Sequence, residues 1–234
     1  MRAVNLPQPL IAGRFLRRLN RFAAEVRLED EVVLAHVANS GRLGELLVER
    51  AEVRVHPVRE PRRVTTHDLL LVRHDRVWVS IDSRAPAAIA AEAFRETGLS
   101  PIPRAEAVQA EVPLGSHRID LRVRGRGRGE EWLVEVKGCT LVREGTALFP
   151  DAPTERGRRQ VEALTRATEA GARAMVLFVI QREDARRFRP HEENDPALAE
   201  ALRRAARAGV AIAAHRCHVS TREVTLAERV PVDL

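Results

Sequence analysis

Two short segments in the middle of the chain alternate apolar and polar side chains with a period of two, and a glycine-rich turn joins them. In Arg118–Arg124, Ile119, Leu121 and Val123 share one side, while Arg118, Asp120, Arg122 and Arg124 share the other. In Glu131–Lys137, the row Trp132, Val134 and Val136 opposes the row Glu131, Leu133, Glu135 and Lys137. The pattern predicts a hairpin around Gly125–Glu130, with Arg124 opposite Glu131, Val123 opposite Trp132, Leu121 opposite Val134 and Ile119 opposite Val136. A slip of one residue would turn each apolar row to the wrong face, so parity is fixed, although a two-residue slip or a bulge would preserve it. The same register sets Asp120 opposite Glu135 and Arg118 opposite Lys137.

Directly opposed strand residues hold their Cβ atoms ~5 Å apart, where two like charges destabilise a sheet. A divalent cation relieves that repulsion, because Mg²⁺ accepts one or two carboxylates and completes its octahedron with water and phosphate oxygens. Asp120 and Glu135 are therefore the expected ligands of Mg²⁺ or Mn²⁺. Lys137, on the face of Glu135, is the expected assistant of an attacking water or of charge developing on a phosphate. Of the 39 basic residues Lys137 is the only lysine. Coding bias accounts for the arginines, whereas a position needing a compact ammonium or a removable proton accounts for the exception. An ordinary solvated strand face, with Asp120 paired to Arg118 or Arg122, would use the same residues. The matching parity, the lone lysine and the surrounding order of elements favour the metal site. Glu111 is a candidate third carboxylate and Glu92 a weaker one, each with a solvated glutamate as its alternative.

Residues 12–82 read as short strands at Arg14–Leu19, Arg21–Leu28, Val32–Val37, Glu52–Val58, Val64–His74 and Val77–Ile81, which suggests a small barrel of the oligonucleotide-binding (OB) type. Beyond them come a predicted helix at Pro86–Thr97, extended segments at Glu106–Val112 and in the two alternating stretches, and a helix at Thr154–Ala170. A strand at Ala174–Ile180, a helix at Pro196–Ala208 and strands at Val210–Val219 and Arg222–Glu228 complete the order. The expected architecture is α/β (α+β): an OB-like domain over 1–82, then a mixed sheet flanked by helices over 83–234.

A net charge of +6 favours a polyanionic partner. Residues 1–82 hold 14 basic and 11 acidic side chains and the remainder 25 and 22, so each part carries +3 and any basic footprint must arise by clustering in the fold. In the first part Arg14, Arg17, Arg18 and Arg21 crowd beside Phe15 and Phe22, a combination that suits base stacking in a cationic groove, though such phenylalanines are more often core. The turn Asn39–Arg42 could hold a phosphate through backbone amides and Arg42, or be a simple turn. Arg122, Arg124, Arg126 and Arg128 could form a basic flap along a duplex, or a solvated turn. Phe149–Gly157 carries Asp151, Glu155 and Arg156 at a loop-to-helix junction, where Thr154 is placed to cap the helix. Arg156, Arg159 and Gln160 follow at helical spacing, to track phosphates or to pair with Glu155 and Glu162. Cys139 and Cys217 have no metal-finger spacing, His215-Arg-Cys-His218 has no second pair, and no apolar run is long enough for a bilayer. A cytoplasmic protein that binds nucleic acid, single-stranded or otherwise, and no membrane is the expectation.

Asp120 followed by Glu135-Val136-Lys137 resembles the PD-(D/E)xK signature of restriction-endonuclease-like nucleases, with Ile119 where that signature has proline. The wider pattern resembles the sugar fermentation stimulation protein (SfsA) family: GRFLRRLNRF at 13–22, HVANSGRLGELL at 36–47, EVKGCTL at 135–141, FPDAPTERG at 149–157, LFVIQRED at 177–184 and DPALAEAL at 195–202. The resemblance implies DNA binding, an OB-like first domain, a nuclease-like second domain, and metal ligation by Asp120 and Glu135 beside Lys137. Two outcomes fit: a divalent-metal-dependent phosphodiesterase (nuclease), or a non-catalytic DNA-binding transcriptional regulator that keeps the nuclease-like fold.

Overall fold

The structure is a computed structural model that describes residues 3–127 and 129–234. Its strands run β1 (Val4–Asn5), β2 (Ile11–Asn20), β3 (Ala23–Arg27), β4 (Val32–His36), β5 (Glu52–Pro57), β6 (His67–His74) and β7 (Val77–Ser80). Helix α1 (Ala85–Glu96) is followed by the two-residue strands β8 (Gly98–Leu99) and β9 (Ile102–Pro103), and by β10 (Ala105–Leu114), β11 (His117–Gly125) and β12 (Glu131–Cys139). The rest are β13 (Val142–Arg143), β14 (Thr146–Phe149), α2 (Glu155–Glu169), β15 (Arg173–Ile180), β16 (Arg187–Pro190), α3 (Pro196–Arg207), β17 (Ala211–Val219) and β18 (Glu223–Val230).

The first apolar rows close on themselves. Strands pair in the order β4-β3-β2-β5-β6-β7, and β4 returns to pair in parallel with β6, making a barrel around Phe15, Val26, Val33, Val53, Val55 and Leu69. Closure removes the open edges that strands this short would otherwise present. This is the OB-like barrel that the strand spacing predicts. Strand β1 lies outside it and pairs antiparallel with β18, Val4 opposite Val224.

The second sheet has seven strands in the order β1-β18-β17-β15-β12-β11-β10. β12, β15 and β17 are parallel and central, and antiparallel strands flank them. Central strands covered on both faces need apolar side chains on both, and β15 (RAMVLFVI) supplies them, with all but Arg173 buried. Helix α1 lies on one face against Leu121, Val123, Val134, Val136 and Leu177. α2 and α3 cover the other, packing Val161 and Leu202 on Val176 and Phe178. The expected mixed sheet flanked by helices is therefore present. Among the described residues no helix is long and apolar enough to cross a membrane.

The hairpin register holds from Arg124 opposite Glu131 to Leu121 opposite Val134, and there the ladder ends. The expected pairs Asp120 with Glu135, Ile119 with Val136 and Arg118 with Lys137 do not form. The Asp120 carboxylate itself accepts the Val136 N–H at 2.7 Å, taking the place of a strand carbonyl. Ile119 leaves the row of Leu121 and Val123 and packs with the α2/α3 core. Across β10, Glu111 takes φ +53° between the pairs Ala110–Leu121 and Val112–Ile119. A left-handed non-glycine residue there marks the same local distortion from the other side. Alternation in the sequence cannot report it, because the letters stay periodic while the backbone does not.

A three-stranded sheet, β13-β14-β16, has no counterpart in the sequence reading. Its strands are two to four residues long, too short to show a period, and β16 ends in proline.

Candidate functional site

β12 is a central strand under α2, so polar side chains on that face of it are buried unless something reaches them. Glu135 is 2% exposed and Lys137 half-buried. Lys137 Nζ donates to Glu135 Oε1 at 2.6 Å and to Gln160 Oε1 at 2.8 Å. Gln160, buried on α2, donates in turn to the Arg118 carbonyl at 3.3 Å, a strand carbonyl beyond the end of the β11–β12 ladder. Glu135 Oε2 is buried with no partner among the described residues. Burial pushes Glu135 up to about 7, even with Lys137 beside it. Burial also raises Asp120 above the usual carboxylate range, against the Val136 N–H and the Lys137 charge.

These groups line a cleft of about 590 Å³ between the barrel and the second sheet. On the barrel side its wall is Arg21 and the loop Asn39–Gly41; on the other it is Asp120, Glu135, Lys137 and the start of α2 with Arg156. Gly138 passes so close to Pro86 Cγ and Gln181 Oε1 that a Cβ there would sit 2.8 Å from each. Gln181 ties the two parts together, donating to Ser80 Oγ and to the Asp82 carbonyl.

The loop between β14 and α2, within FPDAPTERG, is held from two directions. Asp151 Oδ2 accepts the Leu43 N–H of the barrel at 2.6 Å. His191 and Asn194 both reach the Pro150 carbonyl at 3.1 Å, and Asp195 accepts the Thr154 N–H while capping α3 at Leu198. Thr154 caps α2 by accepting from Gly157, where a Cβ would press on the Thr154 side chain at 2.9 Å. Within LFVIQRED, fully buried Arg182 grips Asp184 with two hydrogen bonds at 2.7 Å and the Thr140 carbonyl with a third. These contacts hold Thr140, Pro150, Asp151 and Thr154, which line the cleft. The sequence shows where they cluster but not what they touch.

The remaining expected site residues separate by location. Arg18 is bound to four backbone carbonyls, those of Arg21, Asn39, Gly41 and Arg42, and its Nε is buried, so it has no donor left for a ligand. Arg21 and Arg156 are exposed on the cleft without an ion-pair partner among the described residues, and Arg42 is exposed beside it. Arg14 is exposed and touches the Arg50 carbonyl. Arg159 pairs with Glu155 on the exposed side of α2. Arg122 and Arg124 lie on β11 toward the hairpin turn, with Arg124 paired to Glu106, and Arg124 is about 13 Å along the strand from Asp120. Arg128 falls outside the described residues. Exposed Glu111 pairs with Arg118 at 2.9 Å, and Glu92 pairs with Arg95; neither lines the cleft. No three His, Cys, Asp or Glu side chains among the described residues gather as a ready metal cage. The constellation is two carboxylates and a lysine. Both cysteines are buried and unpaired.

The sequence matches the family model described as the sugar fermentation stimulation protein RE domain over residues 84–223, and the SfsA N-terminal OB domain over residues 16–81. It is 44% identical over 211 residues to a sugar fermentation stimulation protein homolog of Alkaliphilus metalliredigens, covering 90% of each chain. To the homolog of Moorella thermoacetica it is 43% identical over 232 residues, covering 99% of this chain and 100% of that one. The solved structure of Pyrococcus furiosus SfsA in complex with Ca²⁺ superposes with a TM-score of 0.91 at 28% identity over the full length of both chains.

Proposed function

The chain belongs to the sugar fermentation stimulation protein family, and on that footing we propose that it is a DNA-binding protein whose cleft hydrolyses phosphodiesters with Mg²⁺ or Mn²⁺. The observation that carries this reading is Glu135 Oε2, a buried carboxylate oxygen with no partner among the described residues, in a cleft that Asp120 also lines. Leaving such an oxygen desolvated and unmatched is costly, and a hard cation with oxygen ligands removes the cost. The Ca²⁺ of the Pyrococcus relative supports an oxygen-ligated cation in this chain too. Asp120 and Glu135 fit as its ligands, with the remaining positions left to water and phosphate oxygens.

When bound, a divalent cation supplies Lewis acidity toward the phosphate and lowers the pKa of a water. The residues of the chain do the rest. Lys137, held by Gln160, presents its ammonium to the water or to charge building on the phosphate. Asp120 is fixed by the Val136 N–H, so its second oxygen has a set direction. Arg156 and Arg21, on opposite walls, place the phosphodiester, with Arg42 and Arg14 extending the track over the barrel. In this proposal residues 1–82 mainly hold the strand, residues 83–234 carry the chemistry, and the protein works in the cytoplasm, where its two thiols stay reduced.

A second reading, a transcriptional regulator that binds DNA without cutting it, draws on the Glu135–Lys137 ion pair, which already neutralises the buried charge. Digestion of single-stranded, duplex and hybrid substrates by wild type, Glu135→Ala and Lys137→Ala separates the two. Cleavage that requires Mg²⁺ or Mn²⁺ and disappears in both variants supports the nuclease. Binding that persists in all three proteins, with no cleavage by wild type under any metal, assigns the regulator.

A further inference from the structure

The chain has six phenylalanines, two tryptophans and no tyrosine. Phe15, Phe94, Phe178, Phe188 and Trp132 are buried, and Phe149 is half-buried against Phe178. Trp78 is half-buried, with the guanidinium groups of Arg54 and Arg73 near its ring. Phe22 alone among them is left in solvent, 48% exposed at the β2–β3 turn. One exposed apolar side chain is ordinary on any surface. This one is distinguished by what holds it and by what it adjoins.

The backbone at Phe22 is clamped at both ends. Its N–H donates to Asn20 Oδ1 at 2.8 Å and its carbonyl accepts from Val37 at 2.9 Å. Arg18 pins the adjoining Arg21 carbonyl to the loop 39–42. The ring lies over His36, centroids 6.3 Å apart and planes inclined by 27°. The backbone that carries the ring is therefore held in place, and the ring keeps nearly half its surface in water beside His36. The residue before it, Arg21, lines the cleft that contains Asp120, Glu135 and Lys137.

We infer that Phe22, backed by His36, is a stacking platform for an unpaired nucleobase, placed so that a phosphate of the same strand reaches Arg21 and enters the cleft. The inference rests on the nucleic-acid reading proposed above and deepens it, because it specifies the strand form. A base has a free π-face only when it is unstacked from its neighbours, so the platform selects single strands and frayed ends over an intact duplex. Every base offers such a face, so the platform carries no sequence preference of its own.

The test measures fluorescence anisotropy of the full chain with a labelled thymidine dodecamer and with a duplex of the same length, in EDTA so that nothing is cut. Phe22→Ala and Phe22→Leu are expected to bind the single strand about tenfold more weakly than wild type, with the duplex unchanged. Leucine separates stacking from simple apolar contact, and Phe22→Trp, which preserves the π-face, is expected to bind at least as tightly and to lose indole emission as the strand is added. The ring is exposed, so the variants keep the wild-type melting temperature. Single-strand affinity in Phe22→Ala and Phe22→Leu equal to wild type overturns the platform while leaving DNA binding standing. A wild type that binds neither oligonucleotide overturns the nucleic-acid reading itself.

Discussion

The Asp120 carboxylate accepts the Val136 N–H at 2.7 Å at the point where the β11–β12 ladder ends. One side chain thus does the work of a strand carbonyl and stays at the mouth of the cleft, so its removal has two separable effects. Asp120→Asn keeps an oxygen for the N–H and is expected to fold normally while losing most divalent-cation affinity. Asp120→Ala leaves the N–H without its acceptor and is expected to lose about 1–3 kcal/mol of stability as well. Urea denaturation and calorimetric titration with Mn²⁺ read the two effects separately.

Glu135 titrates near 7 in the fold because it is buried, against 4.5 when free of that environment. Between those values the folded protein holds a proton that the unfolded chain has released, so the contribution of Glu135 to stability without metal is fully present below 4.5 and is lost as pH rises through 7. Asp120 and Glu45, both raised by burial, push in the same direction, whereas His67 and His215, lowered by burial, push the other way as pH rises toward 6.5. In EDTA the melting temperature of wild type relative to Glu135→Gln is expected to fall from pH 5 to pH 7.5, a difference that isolates the Glu135 contribution. A divalent cation selects the ionised form, so Mn²⁺ is expected to raise the melting temperature at pH 7.5, to bind more weakly at pH 6, and to release protons on binding.

Lys137 sits between two acceptors 2.6 and 2.8 Å away, in a chain that otherwise uses arginine for every basic position. A guanidinium is planar and larger than an ammonium and cannot occupy that space with the same two contacts. Lys137→Arg is expected to behave like Lys137→Ala, with turnover down by about a hundredfold or more and cation affinity retained. Single-turnover digestion alongside a Mn²⁺ titration measures both.

Arg18 and Arg21 are three residues apart and predict opposite phenotypes. Arg18→Ala frees four backbone carbonyls and is expected to lower the melting temperature and loosen the Asn39–Arg42 loop. Arg21→Ala is expected to keep the wild-type melting temperature and to weaken DNA binding, reducing the slope of log K against log salt by about 0.7–0.9, the contribution of one phosphate contact. Thermal melts and binding across a salt series distinguish them.

The period-two rows of β11 and β12, the barrel strands and the cap at Thr154 were legible as letters, because alternation and capping are local properties that neighbouring residues impose on one another. Local letters also singled out Glu135 and Lys137, through strand parity and a lone lysine among arginines. What they could not convey was contact at a distance. Gln160 read as a phosphate reader and is the clamp on Lys137, Arg18 read as a DNA contact and is bound to backbone carbonyls, and Asp151 read as part of a loop and joins that loop to the barrel at Leu43. Each outcome was decided when the fold placed a donor beside an acceptor that lies tens of residues away, and a buried polar group takes whichever partner the packing delivers. The break at Asp120 is of the same kind: the sequence set the alternation, and the tertiary structure decided where the ladder would stop and a carboxylate take over.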